Sequence, residues 1–117
     1  MNFDTYQTKA LETAIYPESG EPLGLAYTTL GLTNEAGEVA GLVKKFFRDT
    51  PDFLNPQPQE VSNFQSKMAK ELGDVLWYLA TTAAELNLSL DDIAAANLEK
   101  LAARANRGTL QGSGDER

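Results

Sequence analysis

The sequence predicts an all-α fold, a bundle of four to five helices. Apolar residues recur at steps of three and four over most of the 117 residues, which is the period of an amphipathic helix. No segment shows the strict alternation of a half-buried strand, and there is no internal repeat. We therefore expect one helical domain that covers residues 1–117.

Four segments carry the helical pattern, over about residues 2–16, 25–48, 61–86 and 90–106. The runs between the first three segments contain prolines, which end helices or keep them from continuing. Pro51 closes the second segment, because proline disfavours helix in the residue before it. Ser89 is a favourable N-cap for the fourth segment. The tail 107–117 is rich in glycine, and we expect it to be non-helical.

The composition excludes several kinds of chemistry. Ten basic and seventeen acidic residues give a net charge of −7, which disfavours a nucleic acid polymer or an anionic membrane as a partner. The chain has no cysteine and no histidine, so thiolate nucleophiles, imidazole bases and metal sites built on these residues are absent. Any catalysis must therefore depend on carboxylates, amines, guanidinium groups and hydroxyls.

The sequence also predicts a cytoplasmic protein without a membrane partner. The segment Met1–Asp4 lacks the basic start and the following apolar run of a signal peptide. No apolar stretch approaches the ~20 residues that a membrane-spanning helix needs.

A helical wheel of about 100° per residue gives each long helix one apolar face, which we expect to form the core. In the second helix this face contains Leu25, Leu32, Ala36, Val39, Val43 and Phe47. In the third helix it contains Met68, Leu72, Val75, Leu76, Leu79, Ala83 and Leu86. On the same wheel, Trp77 points towards the outer side of the third helix.

Two acid pairs lie beside these apolar faces. Glu35 and Glu38 are three residues apart on the second helix, so their side chains project from one side of it. Glu71 and Asp74 repeat this spacing on the third helix. Two carboxylates ~5 Å apart repel by about 3 kcal/mol at an effective dielectric constant of ~20, so four facing acids need cations, protonation or basic partners. One pair alone is explained by solvation, whereas two matched pairs favour a site for Mg²⁺ or Mn²⁺, or for Ca²⁺.

Strings around these acids are similar to those of a known family. The strings L-T-N-E-A-G-E-V at 32–39 and K-E-L-G-D-V-L-W-Y-L at 70–79 resemble the MazG-like branch of the all-α nucleoside triphosphate pyrophosphohydrolases. The string N-L-E-K-L at 97–101 and the tail with G-S-G-D-x-R are similar to those of many compact MazG-like proteins. The resemblance covers about residues 25–117, and the two acid pairs together make it specific.

The resemblance implies a Mg²⁺-dependent hydrolase that cleaves nucleoside triphosphates between the α and β phosphates. In such a reaction a metal-activated water attacks the α-phosphorus and gives nucleoside monophosphate and pyrophosphate. The metal ligands that the resemblance implies are Glu35, Glu38, Glu71 and Asp74. Of these, Glu38 lies farther from the core on its flank, and we expect it to act as the general base.

The sequence departs from the family in two places. Asn34 stands where the family often has a second adjacent acid, and the segment between the acid pairs is longer than usual. Asn34 falls on the expected solvent face, so we expect the metal site to be intact. The loop at 50–60 takes up the extra length. These departures leave the choice of substrate open.

Other side chains are candidates for binding the substrate. Asn97, Lys100 and Arg104 form one stripe of the fourth helix and offer an amide and two cations to the departing pyrophosphate. The alternative for the two cations is a solvated basic face, whose ion pairs contribute ~0–1 kcal/mol each. Lys67, one turn before Glu71, either contacts phosphate or pairs with that acid.

Two aromatic residues follow Asp74 on the third helix. Tyr78 lies on the stripe of the acids, where it stacks on a base, bonds a phosphate or packs at an interface. Trp77 is either a platform for the base or part of a subunit contact, and its outward direction favours the contact, because aromatic residues are enriched at interfaces.

Helix length and surface apolarity predict self-association. A second helix of ~24 residues would be about 36 Å long, which exceeds a compact monomer whose radius of gyration is ~13 Å. Leu30, Leu42, Phe46 and Trp77 lie off the inner faces. We expect a homodimer or a homotetramer, as in much of the family, with the active site near a subunit interface.

The sequence leaves a non-catalytic alternative open. A helical regulatory or nucleotide-sensing module would keep the same acid pairs for solubility or for binding, without turnover. A di-iron carboxylate bundle is disfavoured, because it uses Glu-x-x-His pairs and the chain has no histidine.

Overall fold

Four α-helices and no strand make up the computed structural model, which describes residues 1–117. The all-α prediction is therefore confirmed. The long helices α2 and α3 run antiparallel, while α1 packs on α3 and α4 packs on both α1 and α3. None of the helices has the length and hydropathy that a membrane span requires. The helices are α1 (Phe3–Leu11), α2 (Pro22–Asp49), α3 (Pro58–Glu85) and α4 (Leu90–Arg107).

Proline and capping explain where the two long helices begin. α2 starts at Pro22 and α3 at Pro58, each a few residues before its predicted start. Proline is well tolerated in the first turn, because its missing N–H would have no helical partner there. At the start of α3, the Glu60 carboxylate accepts a hydrogen bond from the Gln57 backbone N–H (2.8 Å). Pro22 and Pro58, which the sequence analysis placed in loops, are therefore the first residues of helices.

The other two helices differ in how well the sequence predicted them. α1 ends at Leu11, earlier than predicted, and the Thr13 hydroxyl donates to the Ala10 carbonyl (2.9 Å) in the turn that follows. α4 begins after Ser89, whose hydroxyl accepts a first-turn N–H (3.1 Å), as predicted. It ends before Gly108, whose φ of 71° is the left-handed conformation that glycine adopts without strain.

α2 and α3 meet along one line of contact, hereafter the seam. Gly31 of α2 lies against the ring of Tyr78 on α3. Further along, Phe46 of α2 stacks on Phe64 of α3 with ring centroids 4.4 Å apart. A side-chain carbon at residue 31 would overlap the Tyr78 ring, so this glycine determines how closely the two helices approach.

Six of the thirteen residues on the apolar faces assigned to the core are exposed. Val43 and Phe47 of α2 are 48% and 60% exposed. Leu72, Leu79 and Leu86 of α3 are exposed as well. The core prediction is wrong for these residues, because a helical wheel identifies the apolar side of a helix and not the neighbour that covers it. The side of α2 that faces α3 runs instead through the stripe of the acids.

Little of the chain is buried. Nine of its 117 residues are buried, and its radius of gyration is 17.6 Å, against ~13 Å for a compact chain of this length. A small core lies where α1, α3 and α4 meet, and Tyr6, Leu76 and Trp77 pack around it. A single chain therefore exposes much apolar surface to water. The buried members of this core are Ala10, Ala80 and Leu90.

Trp77 does not point outward as predicted. It packs against α1, and its indole N–H donates to the Ala10 carbonyl (3.2 Å) and to the Thr13 hydroxyl (2.9 Å). The prediction is wrong because α1 covers this side of α3, which the wheel of α3 alone does not show. Trp77 therefore binds α1 and the turn after it to α3 through these two hydrogen bonds.

Gln7 also holds α1 in place. Its side-chain amide donates to the carbonyls of Ala80 (3.2 Å) and Leu88 (3.0 Å). Its side-chain carbonyl accepts from the Leu90 N–H (3.0 Å) at the start of α4. Donors and acceptor of this side chain are all used, so α1 is bound to both α3 and α4.

Gly31→Ala should destabilise the seam. The added methyl group overlaps Tyr78, so the ring or the helix must move, and we expect the free energy of unfolding to fall by about 1–3 kcal/mol. Gly37→Ala is the matched control, because a methyl group there meets nothing within 4 Å and alanine favours helix by up to about 1 kcal/mol. Urea unfolding measures both variants. A Gly31→Ala protein as stable as the control would contradict the tight contact.

Candidate metal centre

Three carboxylates converge at the seam. Glu35 comes from α2 and is half-buried, while α3 contributes the half-buried Glu71 and the exposed Asp74. One oxygen of each lies within 4.8 Å of the others. Glu71 and Asp74 project from one side of α3 because of their spacing, and the antiparallel packing brings Glu35 opposite them. The two acid pairs therefore contribute three members to one group, hereafter the carboxylate cluster.

Glu38 lies outside the carboxylate cluster. It follows Glu35 by one turn of α2, and its side chain is exposed. The acids whose oxygens approach within 4.8 Å do not include it. The structure thus brings together three of the four acids that the resemblance implies as ligands. The role of Glu38, as ligand or as base, stays a prediction.

No basic side chain of the chain neutralises the carboxylate cluster. The salt bridges involve Lys9, Arg48, Lys100 and Arg104, and none of them reaches these acids. Carboxylates so close together repel each other, so a bound cation would remove an unfavourable interaction. A donor set made only of carboxylate oxygens suits a hard divalent cation. The cluster can therefore hold such an ion.

Tyr78 borders the carboxylate cluster. Burial raises the pKa of its hydroxyl, and the neighbouring Tyr27 and the carboxylates of Glu35 and Asp74 raise this pKa further. The hydroxyl is therefore neutral at pH 7 and can donate a hydrogen bond. A cavity of about 410 Å³, hereafter the aromatic cavity, opens here. Its lining residues are Thr13, Glu35, Asp74, Trp77 and Tyr78.

A second cavity, hereafter the lysine cavity, lies further along the seam. It has a volume of about 280 Å³, and its lining includes Lys45 and Lys67, the acids Asp49 and Glu60, and the stacked Phe46 and Phe64. Neither lysine has a carboxylate within 4.0 Å. Lys67 therefore does not pair with Glu71, although it lies one turn before it, and a phosphate contact by Lys67 stays a prediction.

The structure does not bring the predicted residues of α4 to the cluster of their own chain. No Cα atom of α4 lies within 8 Å of one in α2. Asn97 is exposed. Lys100 and Arg104 both pair with Asp115 of the tail, at 3.3 and 3.1 Å. Arg104 also donates to the Asp115 carbonyl (2.8 Å) and is only 4% exposed, so the tail covers it.

Several lining residues of the two cavities were not predicted from the sequence, among them Thr13 and Lys45. Thr13 is remote from the acids along the chain, and only the packing of α1 on α3 brings it to the aromatic cavity. The sequence carries no signal for this contact. Lys45 does have a signal, because it follows Glu38 by two helical turns and so lies on the same side of α2.

Comparison with known proteins agrees with this geometry. A family model of the MazG nucleotide pyrophosphohydrolase domain matches residues 25–109. The chain belongs to the MazG family. The resemblance inferred from the strings around the acids is thereby confirmed.

One relative extends the comparison to the whole chain. The chain is similar to the Gene 37 protein of Mycobacterium phage L5, with 42% identity over 120 residues and all of both chains covered. No solved structure matches the chain. The region 25–109 that matches the MazG family includes Glu35, Glu38, Glu71 and Asp74. It does not include α1 or Thr13.

Mg²⁺ should raise the thermal stability of the protein through the carboxylate cluster. At 10 to 100 times its dissociation constant, a ligand of the folded state stabilises by about 1.4 to 2.7 kcal/mol. Glu71→Gln or Asp74→Asn should lose most of this gain. Either variant should also be more stable than the original without metal, because one repelling charge is gone. Scanning calorimetry with and without Mg²⁺ measures both effects.

The control for this experiment is Glu99→Gln on α4, which removes an exposed charge elsewhere. It should keep the full gain from Mg²⁺. If it loses as much as Glu71→Gln, the ion acts by screening the net charge of −7 and not at the cluster.

Asp115 should hold the tail on α4 at neutral pH and release it in acid. Hydrogen bonds from Arg104 and Lys100 lower the pKa of the Asp115 carboxyl below its usual range. Its stabilising contribution is therefore complete above the ordinary value of ~3.9 and is lost as the pH falls through the lower, folded-state pKa. Amide hydrogen exchange of the tail, corrected for intrinsic rates, should show this loss. Asp115→Asn should show it at pH 7 already, and unchanged protection there would contradict the contact.

Proposed function

We propose that the chain hydrolyses nucleoside triphosphates to nucleoside monophosphates and pyrophosphate, with Mg²⁺ as its cofactor. One observation supports this above all. In a chain of a nucleotide pyrophosphohydrolase family, Glu35, Glu71 and Asp74 converge at one seam beside a cavity large enough for a small ligand.

The donor set of the carboxylate cluster suits Mg²⁺, with Mn²⁺ as a substitute. Mg²⁺ held by a few carboxylates completes its coordination with water and substrate phosphates, and three carboxylates leave positions for them. The bound ion supplies positive charge that stabilises the phosphate oxygens and acidifies a nearby water. Phosphoryl transfer asks a protein mainly for positioning and charge stabilisation.

We assign the role of general base to Glu38. It is exposed and lies one turn from Glu35 without joining the carboxylate cluster, so its carboxylate is free to accept a proton. In the proposed reaction a water oxygen attacks the α-phosphorus while its proton passes to Glu38. The bond from the α-phosphorus to the bridging oxygen breaks, and pyrophosphate leaves with the electron pair.

Two side chains of α3 are proposed to contact the phosphates. Lys67 has no acidic partner within 4.0 Å, so its ammonium group can pair with the leaving pyrophosphate. Tyr78 keeps its proton at pH 7, since the ordinary pKa of tyrosine is ~10 and burial raises the pKa of this hydroxyl further, so the hydroxyl can donate to a phosphate oxygen. Both residues lie one turn from a member of the carboxylate cluster.

Residues of α4 are proposed to act on a second copy of the chain. α4 does not pack on α2, so Asn97, Lys100 and Arg104 need another chain to reach a cluster. The expanded shape and the exposed apolar residues, such as Phe47 and Leu79, support a homodimer or homotetramer that covers them. Because the tail covers Arg104, Asn97 and Lys100 are the more accessible of the three.

The purified protein with Mg²⁺ should release pyrophosphate, and not single phosphate, from nucleoside triphosphates. Glu71→Gln and Asp74→Asn should lower kcat/KM by at least ~100-fold, because residues that merely support a metal ligand already contribute 10- to 100-fold. Glu38→Gln should lose turnover and keep the gain in thermal stability from Mg²⁺. The exposed Asp91→Asn on α4 is the matched control and should stay active. Coupled assays for pyrophosphate and phosphate measure the products.

The outcome of a substrate panel decides between the proposal and its alternative. The panel contains common and modified ribo- and deoxyribonucleoside triphosphates. Release of single phosphate contradicts cleavage between the α and β phosphates. Binding of Mg²⁺ and nucleotide without any turnover favours a nucleotide-sensing module over an enzyme.

A further inference from the structure

The aromatic cavity has a wall of aromatic rings in mutual contact. Tyr27 and Tyr16 stack with centroids 5.1 Å apart. Tyr16 meets Trp77 edge-on at 6.2 Å, and Trp77 meets Tyr78 edge-on at 4.9 Å. The four rings form a row from α2, through the segment after α1, to α3. Trp77 and Tyr78 are the members of this row that line the cavity.

Hydrogen bonds hold two members of this row, Trp77 and Tyr16, in position and occupy their polar groups. The indole N–H of Trp77 donates to the Thr13 hydroxyl (2.9 Å). The Tyr16 hydroxyl donates to the Glu85 carboxylate, which also accepts from the Gly20 N–H (3.1 Å). Trp77 therefore offers ring surface to the cavity and not a hydrogen-bond donor.

The two cavities of the seam differ in chemistry. Tyr78 belongs to the aromatic cavity and Lys67 to the lysine cavity, and they lie about 16 Å apart along α3 with Glu71 and Asp74 between them. An aromatic surface suits a nucleobase, because every base has a π-face that stacks on aromatic side chains. The lysine cavity offers ammonium groups, which suit phosphates, while its two carboxylates have other partners: Asp49 pairs with Arg48 (2.6 Å) and Glu60 accepts from the Gln57 N–H (2.8 Å). A nucleotide bound along the seam would therefore place its base at the aromatic cavity and its phosphates towards the lysine cavity.

We propose that the aromatic cavity binds the nucleoside half of the substrate, with the base against Trp77 and the polyphosphate directed along the seam towards Lys67. The identity of the substrate in this inference rests on the proposed function. Thr13 is a positioning residue that acts on the base through Trp77, whose indole its hydroxyl holds. It lies outside the region 25–109 that matches the family, so part of the recognition wall comes from the N-terminal segment.

The fluorescence of Trp77 reports on the aromatic cavity directly, because the chain has one tryptophan. The experiment titrates the full chain, with Mg²⁺, with α,β-methylene analogues of nucleoside triphosphates, which resist cleavage. Inorganic tripolyphosphate and ribose 5-triphosphate, which lacks a base, are titrated in parallel, and calorimetry measures binding. We expect the nucleotide analogues to change Trp77 emission and tripolyphosphate to bind without changing it. Ribose 5-triphosphate should bind at least about fivefold more weakly than the nucleotides, because it forms no base stack.

Two results overturn the inference. One is binding of the nucleotide analogues without a change in Trp77 emission, and the other is an equal change with tripolyphosphate. Assays of hydrolysis separate this failure from failure of the proposed function. If pyrophosphate is released but the nucleotide analogues leave Trp77 emission unchanged, only the nucleoside site is rejected. A Trp77 response to nucleotides without turnover supports the site and rejects the enzyme.

Thr13→Val tests the positioning role, because it keeps the shape of the side chain and removes the shorter of the two hydrogen bonds of the Trp77 indole N–H, leaving the one to the Ala10 carbonyl (3.2 Å). We expect KM for nucleotides to rise about fivefold at unchanged kcat, with unchanged binding of tripolyphosphate. Thr13→Ser restores the acceptor and should restore KM. Thr8→Val is the matched control, since Thr8 is exposed on α1 and bonds to the Asp4 carbonyl (2.9 Å). Equal weakening of tripolyphosphate binding by Thr13→Val would overturn the assignment.

Discussion

Repulsion among three carboxylates at the seam is the constraint on which the rest of the structure depends. Their oxygens lie within 4.8 Å of one another, and no lysine or arginine of the chain pairs with them. Flexible helices would move such charges apart. The contact of Gly31 with Tyr78, one turn away, keeps α2 and α3 close at this point. The fold therefore maintains an unfavourable interaction that a divalent cation can relieve.

The carboxylate cluster and the proposed nucleoside site draw on different segments of the chain. The carboxylate cluster lies within the region that matches the MazG family, whereas Thr13 of the aromatic cavity lies before it. Gln7 and Trp77 attach this N-terminal segment to α3 through side-chain hydrogen bonds. Such an arrangement lets residues around α1 change what the cavity accepts without disturbing the acids. The lysines further along the seam have no carboxylate within 4.0 Å and form the proposed phosphate end of the same site.

Predictions from the sequence succeeded where the physics is local. The number of helices, the cap at Ser89 and the spacing of Glu71 and Asp74 follow from neighbours within one or two turns, and the structure agrees with all of them. Predictions that required a neighbouring helix were less reliable. The helical wheel places Val43 and Phe47 in the core, yet both are exposed, and α1 covers the side of α3 that the wheel gives as outer.

The sequence by itself determined that this protein is helical, that it lacks imidazole and thiol chemistry, and that its acids occur as matched pairs beside apolar faces. Only the tertiary structure decided that Glu35 joins Glu71 and Asp74 while Glu38 stays outside, and that Trp77 and Thr13 line a cavity beside them. Periodicity gives the direction of a side chain around its own helix axis. Which side chains meet depends on how closely and at what register two helices pack, and here that depends on a glycine against a tyrosine ring.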